Sequence, residues 1–269
     1  MVQRFSLGGS VAWLKRYDPD GWLRPTLVRV WNGLVTRLDL QALRSPPRYS
    51  GERAKAVEAR RLEALRACGA PVPRILGEGP RSLILSDMGP TLAHRLKRLK
   101  CANDADALVR QTAHAIGELH RHGGYLGQAF ARNITVGNTG VGFIDFEEDP
   151  SEIMSLAQAQ ARDWVMFTTG VGPYFTGRMD VLTGLIHAEA VVMEPEVALE
   201  VRRIAERLGF LERIGGLLGR KAAAMGAAIG AMRKGFALMA FGALVFDVVS
   251  DGDCDMWLVM VHAVQVATT

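Results

Sequence analysis

The stretch from Tyr125 to Pro150 constrains the fold of this chain more than any other part of its sequence. Two short apolar runs, Ile134 to Val136 and Val141 to Phe146, flank the turn sequence Gly137 to Gly140. Glycine and asparagine between two β-like runs are typical of a hairpin turn, because both residues tolerate a left-handed backbone. The pattern therefore predicts a short antiparallel hairpin.

Two oxygen-bearing side chains stand at the open end of this hairpin, Asn133 before the first run and Asp145 near the end of the second. A hairpin brings these two positions close together. Magnesium takes few protein ligands, all of them oxygen, and leaves the rest of its shell to water and nucleotide phosphates. Asn133 and Asp145 are therefore candidate magnesium ligands. Taken alone, Asn133 is more often a turn residue and Asp145 the last residue of an ordinary strand. Other parts of the sequence are needed to distinguish these interpretations.

Length and composition indicate a globular protein with a full core. The chain has 269 residues, of which 49% are hydrophobic and 22% are charged, and this suffices for one large domain or two lobes. Its three cysteines lie far apart, without the spacing of a zinc site or a disulfide framework. The net charge of +4 permits contact with phosphate-rich partners but does not indicate a nucleic-acid-binding protein.

The N-terminal residues predict another hairpin, with strands from Gln3 to Leu7 and from Val11 to Tyr17 around a Gly-Gly-Ser turn. Lys15 lies on the second of these strands, among apolar residues. It is either a phosphate-binding lysine or a solvated lysine on an edge strand. This segment alone does not separate the two interpretations.

A basic amphipathic helix is predicted from Trp22 to Leu43. Its apolar residues recur at helical spacing on one face, and its arginines lie off that face. A core-facing stripe is the first expectation, and the alternatives are contact with an anionic membrane surface or with a phosphorylated substrate. The stripe consists of Leu27, Val30, Trp31, Leu34 and Leu38, and the arginines are Arg24, Arg29 and Arg37.

Three further elements follow in the sequence. A helix is predicted from Gly51 to Ala67, closed by a glycine and a proline, and Glu58 lies within it. A strand is predicted from Ser82 to Asp87, and a helix from Asp104 to His122. These elements lead directly to the hairpin described above.

In this order, the elements resemble the protein-kinase-like fold and, among its members, the bacterial lipopolysaccharide kinase family of Kdo and heptose kinases. The resemblance extends from Val11 to Pro150, a little over half of the chain. The segment Val11 to Lys15 is similar to the strand that carries the phosphate-binding lysine of kinases. Asp145-Phe146-Glu147 is similar to their metal-binding Asp-Phe-Gly motif.

The resemblance implies an α+β, bilobal fold. Residues 1–88 would form a small N-terminal lobe with an antiparallel sheet, and residues 89–269 a larger, mainly helical C-terminal lobe that contains the catalytic-loop hairpin, residues 125–150. It also implies that Lys15 pairs with Glu58 and holds the phosphates of ATP.

Further roles are implied for residues of the C-terminal half. Asn133 and Asp145 would hold Mg²⁺ across the nucleotide phosphates. In related kinases, an aspartate at the place of Asp163 braces the catalytic loop through backbone hydrogen bonds, whereas a capping or surface aspartate is the plainer alternative. Asp163 is expected near the start of a helix that Arg162 opens, and His120 is expected to interact with the dipole at a helix end.

The sequence departs from the kinase pattern in two places. Gln128, five residues before Asn133, stands where the family has its catalytic aspartate, and no G-x-G-x-x-G loop precedes Val11. A glutamine can orient a hydroxyl but cannot accept its proton, so Glu147, Glu148 and Asp149 are candidates for a displaced carboxylate.

Two functional hypotheses follow from these departures. The first is an ATP-dependent phosphotransferase with Gln128 and Asp145 as catalytic residues, acting on a hydroxyl of a sugar, a lipid-linked sugar or a protein. The second is a pseudokinase that binds nucleotide or a partner and acts as a scaffold or regulator.

A cytoplasmic location is expected, because the N-terminus has no apolar run of signal-peptide length. The longest apolar run, Gly235 to Phe246, is too short to span a bilayer. Peripheral contact with an anionic inner membrane, through Arg24, Arg29 and Arg37, stays open. The Gly226-x-x-x-Gly230 pattern predicts close helix packing. The tail, residues 250–269, matches no part of the family.

Overall fold

The computed structural model describes residues 1–17, 25–137 and 140–250, and of these it gives residues 25–27, 218 and 239–250 by their backbone alone. Helices form most of this part, and a small antiparallel sheet forms near the N-terminus. The expected mixture of helices and a small antiparallel sheet is therefore confirmed.

The elements of the described residues have the following bounds. The strands are β1 (Val2–Leu7), β2 (Ser10–Arg16), β3 (Ile75–Gly79), β4 (Ser82–Ser86), β5 (Ile134–Gly137) and β6 (Gly140–Phe143). The α-helices are α1 (Pro25–Arg37), α2 (Gly51–Ala67), α3 (Leu92–Arg98), α4 (Ala102–Arg121), α5 (Leu156–Val171), α6 (Met179–Val191), α7 (Pro195–Arg207), α8 (Phe210–Ile214) and α9 (Arg220–Ser250). Short 3-10 helices are formed by Gln41–Leu43, Pro150–Glu152, Gly172–Phe175 and Gly215–Leu218.

Strands β1 to β4 form one antiparallel sheet in the order β1-β2-β4-β3, and β5 pairs with β6 in a separate hairpin. Both hairpins expected from the sequence are present. The register sets Lys15 of β2 opposite Leu83 of β4. Because side chains alternate across a strand, Trp13 and Lys15 share one face of the sheet, and Tyr17 continues that alternation just beyond β2.

Helix α2 has the bounds that the sequence predicts. The chain leaves it through Gly69, whose φ of +78° suits glycine, and Pro71 follows shortly after. Its buried face contains Ala54, Val57 and two leucines but also the charged residues Glu58 and Arg61. Burying a charge is costly unless it is paired, so both side chains need partners elsewhere in the fold.

Helix α1 is shorter than expected. The predicted helix from Trp22 to Leu43 is replaced by an α-helix that ends at Arg37 and a separate 3-10 helix, because Asp39 between them adopts a left-handed φ of 53°. Trp22 and Arg24 lie outside the described residues. The side chain of Val35 is buried.

The prediction of a core-facing stripe on α1 is wrong for three of its members. Val30, Trp31 and Leu34 are exposed to solvent. Helical spacing identifies an apolar face but does not say how much of that face is covered, and here Leu38 packs against the core while these three side chains are largely open to solvent.

Helix α5 lies at the centre of the helical part and packs against α7 and α9. Its start is fixed by a capping box, in which the side chains of Ser155 and Gln158 bond each other's backbone N–H groups. Arg162 and Asp163 therefore lie inside this helix and do not open it, which corrects the sequence prediction. Trp164 and Phe167 of α5 are buried in the surrounding core.

Helix α9 packs against α8 and α6. A Cβ atom on Gly226 would lie 2.3 Å from the carbonyl oxygen of Leu211, and one on Gly230 would meet Glu212. The predicted close packing at this glycine pair is therefore confirmed. Residues 251–269 lie outside the described part. Among the helices of the described ranges, none combines the length and the hydropathy that crossing a bilayer requires.

Candidate functional site

A cleft of about 450 Å³ opens between the β1–β4 sheet and the β5–β6 hairpin. This volume lies within the range of small-molecule sites, roughly 300–1,000 Å³. Apolar side chains line one part of the cleft, and charged side chains line the other. The apolar part includes Trp13, Leu85, Met88 and Ile144, and the charged part includes Lys15, Glu58, Asp145 and Glu147.

The ammonium group of Lys15 lies at the centre of the charged part. Its Nζ atom is 2.7 Å from Oε2 and 3.0 Å from Oε1 of Glu58, and 2.8 Å from Oδ1 of Asp145. Glu147 contributes a third carboxylate, 2.9 Å away. Lys15 and Glu58 are buried, whereas Asp145 and Glu147 are each about half exposed. The structure thus brings together residues that are 130 positions apart in the sequence.

The charges of this cluster depend on one another. Burial opposes the charge of Lys15, but the carboxylates of Glu58, Asp145 and Glu147 outweigh it and raise the pKa of Lys15 above its usual value. Burial raises the pKa of Glu58, while the Lys15 ammonium and the hydroxyl of Tyr17 act against that rise. The Tyr17 hydroxyl donates to Oε2 of Glu58 at 2.6 Å. Burial, followed by the negative charge of Glu58, raises the pKa of Tyr17.

The β5–β6 hairpin sets Asn133 beside the end of β6. The backbone N–H of Ile144 donates to the carbonyl of Asn133 at 2.9 Å, so Asp145 follows immediately after this contact. The Asn133 amide donates to the carbonyl of Gln128 at 3.1 Å, and this bond fixes its orientation. Asp145 has a φ of 72°, an uncommon value for a residue other than glycine. A residue keeps this strained backbone conformation only where the surrounding structure stabilises it.

The loop before β5, here called the entry loop, runs from Tyr125 to Arg132. Asp163 of α5 is fully buried and accepts hydrogen bonds from two of its backbone N–H groups, Leu126 at 2.6 Å and Gly127 at 2.7 Å. Nε2 of His120 lies 3.2 Å from the same carboxylate. Asp163 is therefore neither a cap nor a surface residue, and His120, which lies in the last turn of α4 as expected, also contacts this buried carboxylate.

No protein-family model matches this chain, and neither does any curated protein. The chemistry of the cleft is therefore argued from its own residues.

At the hairpin, Asp145 lines the cleft and is a candidate magnesium ligand, whereas Asn133 is buried and is not among the residues that line the cleft. In the described ranges, no group of three or more His, Cys, Asp or Glu side chains is arranged to hold a metal. Magnesium does not need such a group, because it is commonly bound by one or two carboxylates together with substrate phosphates and water. Asp145 offers a half-exposed carboxylate. Asn133 offers an amide oxygen on a side chain whose nitrogen is already bonded to Gln128.

A second polar cluster ties α2 to the entry loop, and sequence reasoning missed it. Arg61 donates to the carbonyl of Tyr125 at 2.6 Å and stacks over the ring of the same residue, with 3.8 Å between its Cζ atom and the ring centre. The Tyr125 hydroxyl donates to Asp149 at 2.6 Å, and Arg60 binds the same carboxylate at 2.8 Å. Glu58 lies on the same helix as both arginines, so this cluster, Arg60–Arg61–Tyr125–Asp149, holds Glu58 in place.

The acidic residues after Asp145 have different surroundings. Glu148 is buried and binds Arg48 at 2.5 Å, with Arg162 at 3.9 Å. Asp149 is buried in the cluster just described. Only Glu147 lines the cleft. Of the three candidates for a displaced carboxylate, Glu147 is therefore the one that a ligand in the cleft can reach.

Gln128 occupies the entry loop, five positions before Asn133. Its carbonyl accepts the Asn133 amide, and its side chain is partly exposed. Next to it, Gly127 has a φ of +86°, and a Cβ atom there would lie 2.8 Å from Pro150. The carbonyl of Gly127 accepts a hydrogen bond from Arg162 at 2.8 Å. The backbone beside Gln128 is thus held from two sides.

Proposed function

We propose that this protein is an ATP-dependent phosphotransferase of the protein-kinase-like type, acting on a hydroxyl of a sugar, a lipid-linked sugar or a protein. The observation that carries the proposal is the position of Lys15 Nζ, within 3.0 Å of Glu58 and 2.8 Å of Asp145 in an open cleft. A lysine held by a glutamate beside a metal-binding aspartate is the arrangement with which kinases hold nucleotide phosphates.

The arrangement of the elements supports the same proposal. The β1–β4 sheet and α2 lie on one side of the cleft, and the β5–β6 hairpin lies on the other. We therefore propose a bilobal, kinase-like fold with a boundary near residue 88, similar to the lipopolysaccharide kinases. The apolar part of the cleft, with Trp13 and Leu85, offers a surface for the adenine ring.

The charges of the cleft favour a nucleotide that arrives with cations. Three carboxylates surround one ammonium, so the ionised cluster has an excess of negative charge. ATP alone would be repelled by that excess. The chemistry that a bound magnesium ion supplies in such a site is neutralisation of phosphate charge, and Asn133 and Asp145 are the residues that would hold it.

The acceptor hydroxyl is oriented, in this proposal, by the amide of Gln128. Phosphoryl transfer depends mainly on positioning and charge stabilisation, and a general base typically contributes only ~10²- to 10⁴-fold. A glutamine in place of the aspartate therefore slows the reaction without preventing it.

One observation favours a second candidate, a pseudokinase that binds nucleotide without turnover. Gln128 has no carboxylate, and the buried carboxylates of Glu148 and Asp149 are each bound by an arginine. On this view the protein acts as a nucleotide-dependent scaffold or regulator.

Calorimetric titration with ATP and magnesium tests nucleotide binding. We expect Lys15→Met and Asp145→Asn each to weaken binding at least ~10-fold, since each removes a charged contact to the phosphates or their cation. Lys55→Met is the matched control, because Lys55 pairs with Glu78 outside the cleft. Unchanged binding in both cleft variants would rule out the proposed site.

Turnover separates the two candidates. The phosphotransferase is supported if the parent hydrolyses ATP or transfers its phosphate slowly, if Lys15→Met abolishes this activity, and if Gln128→Asp accelerates it. Tight binding of magnesium and ATP without turnover in either the parent or Gln128→Asp supports the pseudokinase.

A further inference from the structure

Helix α1 presents an apolar face to solvent. Val30, Trp31 and Leu34 are exposed by 65%, 46% and 49%. Leu34 follows Val30 by four residues and Trp31 by three, so it neighbours both on the helix surface, and these three side chains are here called the α1 patch. An exposed patch that combines large aliphatic residues with tryptophan usually marks an interaction surface.

The back of α1 is fixed by polar contacts and by Val35. The indole N–H of Trp31 donates to the carbonyl of Leu43 at 2.9 Å. The amide of Asn32 exchanges hydrogen bonds with the backbone of Ser45, at 2.8 Å and 3.3 Å. These contacts hold the helix against the segment that follows it, so that the N–H edge of Trp31 faces the protein and the exposed part of its ring belongs to the α1 patch.

The charged residues of α1 itself are all basic. The sequence of α1 contains no Asp or Glu, and its two arginines, Arg29 and Arg37, are both exposed. Arg37 follows Leu34 by three residues and so lies on the same side of the helix. An apolar stripe bordered by arginine and containing tryptophan is typical of helices that lie in the interface of an anionic bilayer.

We propose that α1 docks the protein on an anionic lipid bilayer, with the α1 patch inserted among the lipids and Arg29 and Arg37 at the headgroups. Charge complementarity favours this occupant over a second copy of the chain. In a symmetric dimer, the same arginines would face each other with no carboxylate on α1 to pair with them. The exposed part of the Trp31 ring adds aromatic surface to the patch, and tryptophan on the apolar face is a feature of helices that lie in the membrane interface.

This docking does not depend on the proposed phosphotransferase activity, and its test needs no nucleotide. The full chain is sedimented with vesicles of phosphatidylcholine alone and of phosphatidylcholine with phosphatidylglycerol. We expect binding only to the anionic vesicles, with affinity that falls as salt is raised.

Variants on α1 identify the surface. Leu34→Glu and the double variant Arg29→Glu with Arg37→Glu should each weaken vesicle binding at least ~10-fold, because they oppose insertion and the headgroup charge respectively. Leu199→Glu is the matched control, since Leu199 on α7 is also an exposed leucine, by 63% against 49% for Leu34, and it should bind like the parent. Circular dichroism spectra and denaturation midpoints establish that all variants are folded.

Three outcomes would overturn the proposal. The first is equal binding to neutral and anionic vesicles. The second is parental binding by Leu34→Glu. The third is no vesicle binding by the parent protein. If light scattering then shows the parent to be a dimer that Leu34→Glu dissociates, the patch belongs to an interface with a second copy; if it shows a monomer, the docking proposal is simply wrong. Nucleotide binding measured on the same preparations remains a separate result, so failure of docking and failure of the proposed activity are distinguishable.

Discussion

Asp163 holds the entry loop through a carboxylate that is completely removed from water. Its two oxygens accept two backbone N–H groups and face a histidine nitrogen. A buried carboxylate of this kind stabilises the fold only while all of its hydrogen-bond partners are present. If one partner is lost, the group left behind is buried without either water or a hydrogen bond. The position of Gln128 therefore depends on a residue that lies 35 positions further along the chain and does not line the cleft.

Replacing Asp163 by asparagine keeps the shape of the side chain but gives it an N–H₂ group where a backbone N–H now donates. We expect Asp163→Asn to lower the free energy of unfolding by about 2–3 kcal/mol, the cost of leaving one buried donor without an acceptor. Urea denaturation followed by circular dichroism measures this change. Asp180→Asn, at an exposed position on α6, should change the free energy by less than ~0.5 kcal/mol. An equally small change in Asp163→Asn would contradict the bracing role.

Single residues of the cleft were predictable to different degrees. Lys15, Glu58 and Asp145 could be chosen from the sequence, because their order along the chain resembles a known family, and the structure places them within hydrogen-bonding distance. Tyr17 was missed as a partner of Glu58, although strand alternation already set it on the side of Lys15. The binding roles of Asn133 and Gln128 stay predictions.

At the scale of elements, α2 is the link between the sheet and the entry loop. It carries Glu58 towards Lys15 on one turn and Arg61 towards Tyr125 on the next. The bounds of α2 were predictable from glycine and proline punctuation. Its contacts with Tyr125 and Asp149 were not, since nothing local in the sequence specifies which distant side chain a buried arginine meets.

The two neighbouring arginines of α2 provide a matched comparison. Arg61 is buried and uses its planar group both to donate and to stack on Tyr125, which a lysine cannot reproduce. We expect Arg61→Lys to lower the free energy of unfolding by about 2 kcal/mol. Arg60→Lys should cost less than ~0.5 kcal/mol, because the Arg60 side chain is largely exposed and a lysine can still reach Asp149.

Denaturant unfolding of both variants, with nucleotide titration as a second readout, checks the comparison. Loosening α2 should weaken nucleotide binding in Arg61→Lys more than in Arg60→Lys. Similar results for the two variants would show that Arg61 is not the link between α2 and the entry loop.

Helix α1 illustrates why an element can be predicted while its surroundings are not. The apolar spacing correctly indicated a helix in this region, but the orientation of that helix depends on Trp31 and Asn32 reaching backbone groups of the following segment. Those contacts come from the path of the chain after Arg37. Periodicity within the helix contains no information about that path.

At the scale of the whole molecule, the buried charges predict how stability changes at high pH. The pKa of Lys15 is raised by its three carboxylates, and the pKa of Tyr17 is raised by burial and by Glu58. Both groups therefore hold their protons more tightly in the folded than in the unfolded protein, where they titrate near 10. The stability they contribute is complete below about pH 10 and is lost as pH rises, because the unfolded state releases protons first.

We expect the free energy of unfolding to fall above about pH 10, by up to about 1.4 kcal/mol per pH unit for each proton that only the folded state retains. Tyr17→Phe should make this fall shallower, since it removes one such group. Tyr49→Phe is the comparison: the hydrogen bond from its hydroxyl to Glu152 also raises the pKa of Tyr49, but this bond lies at the surface, so removing it should change the slope less than Tyr17→Phe does. Urea titrations between pH 8 and about 11 measure the slopes. Equal slopes in the parent and Tyr17→Phe would contradict the coupling of Tyr17 to the cleft.

The segment that follows Asp145 has a consequence for control. Residues 146–155 lead straight into α5, and Glu148 and Asp149 within them are bound by arginines from the N-terminal part of the chain. Because Glu147 directly precedes these two anchored residues, a shift of α2 and the segment before it would be transmitted to the one carboxylate of this segment that lines the cleft. If the proposed function holds, the charge around the nucleotide phosphates therefore changes whenever these N-terminal elements move relative to the hairpin.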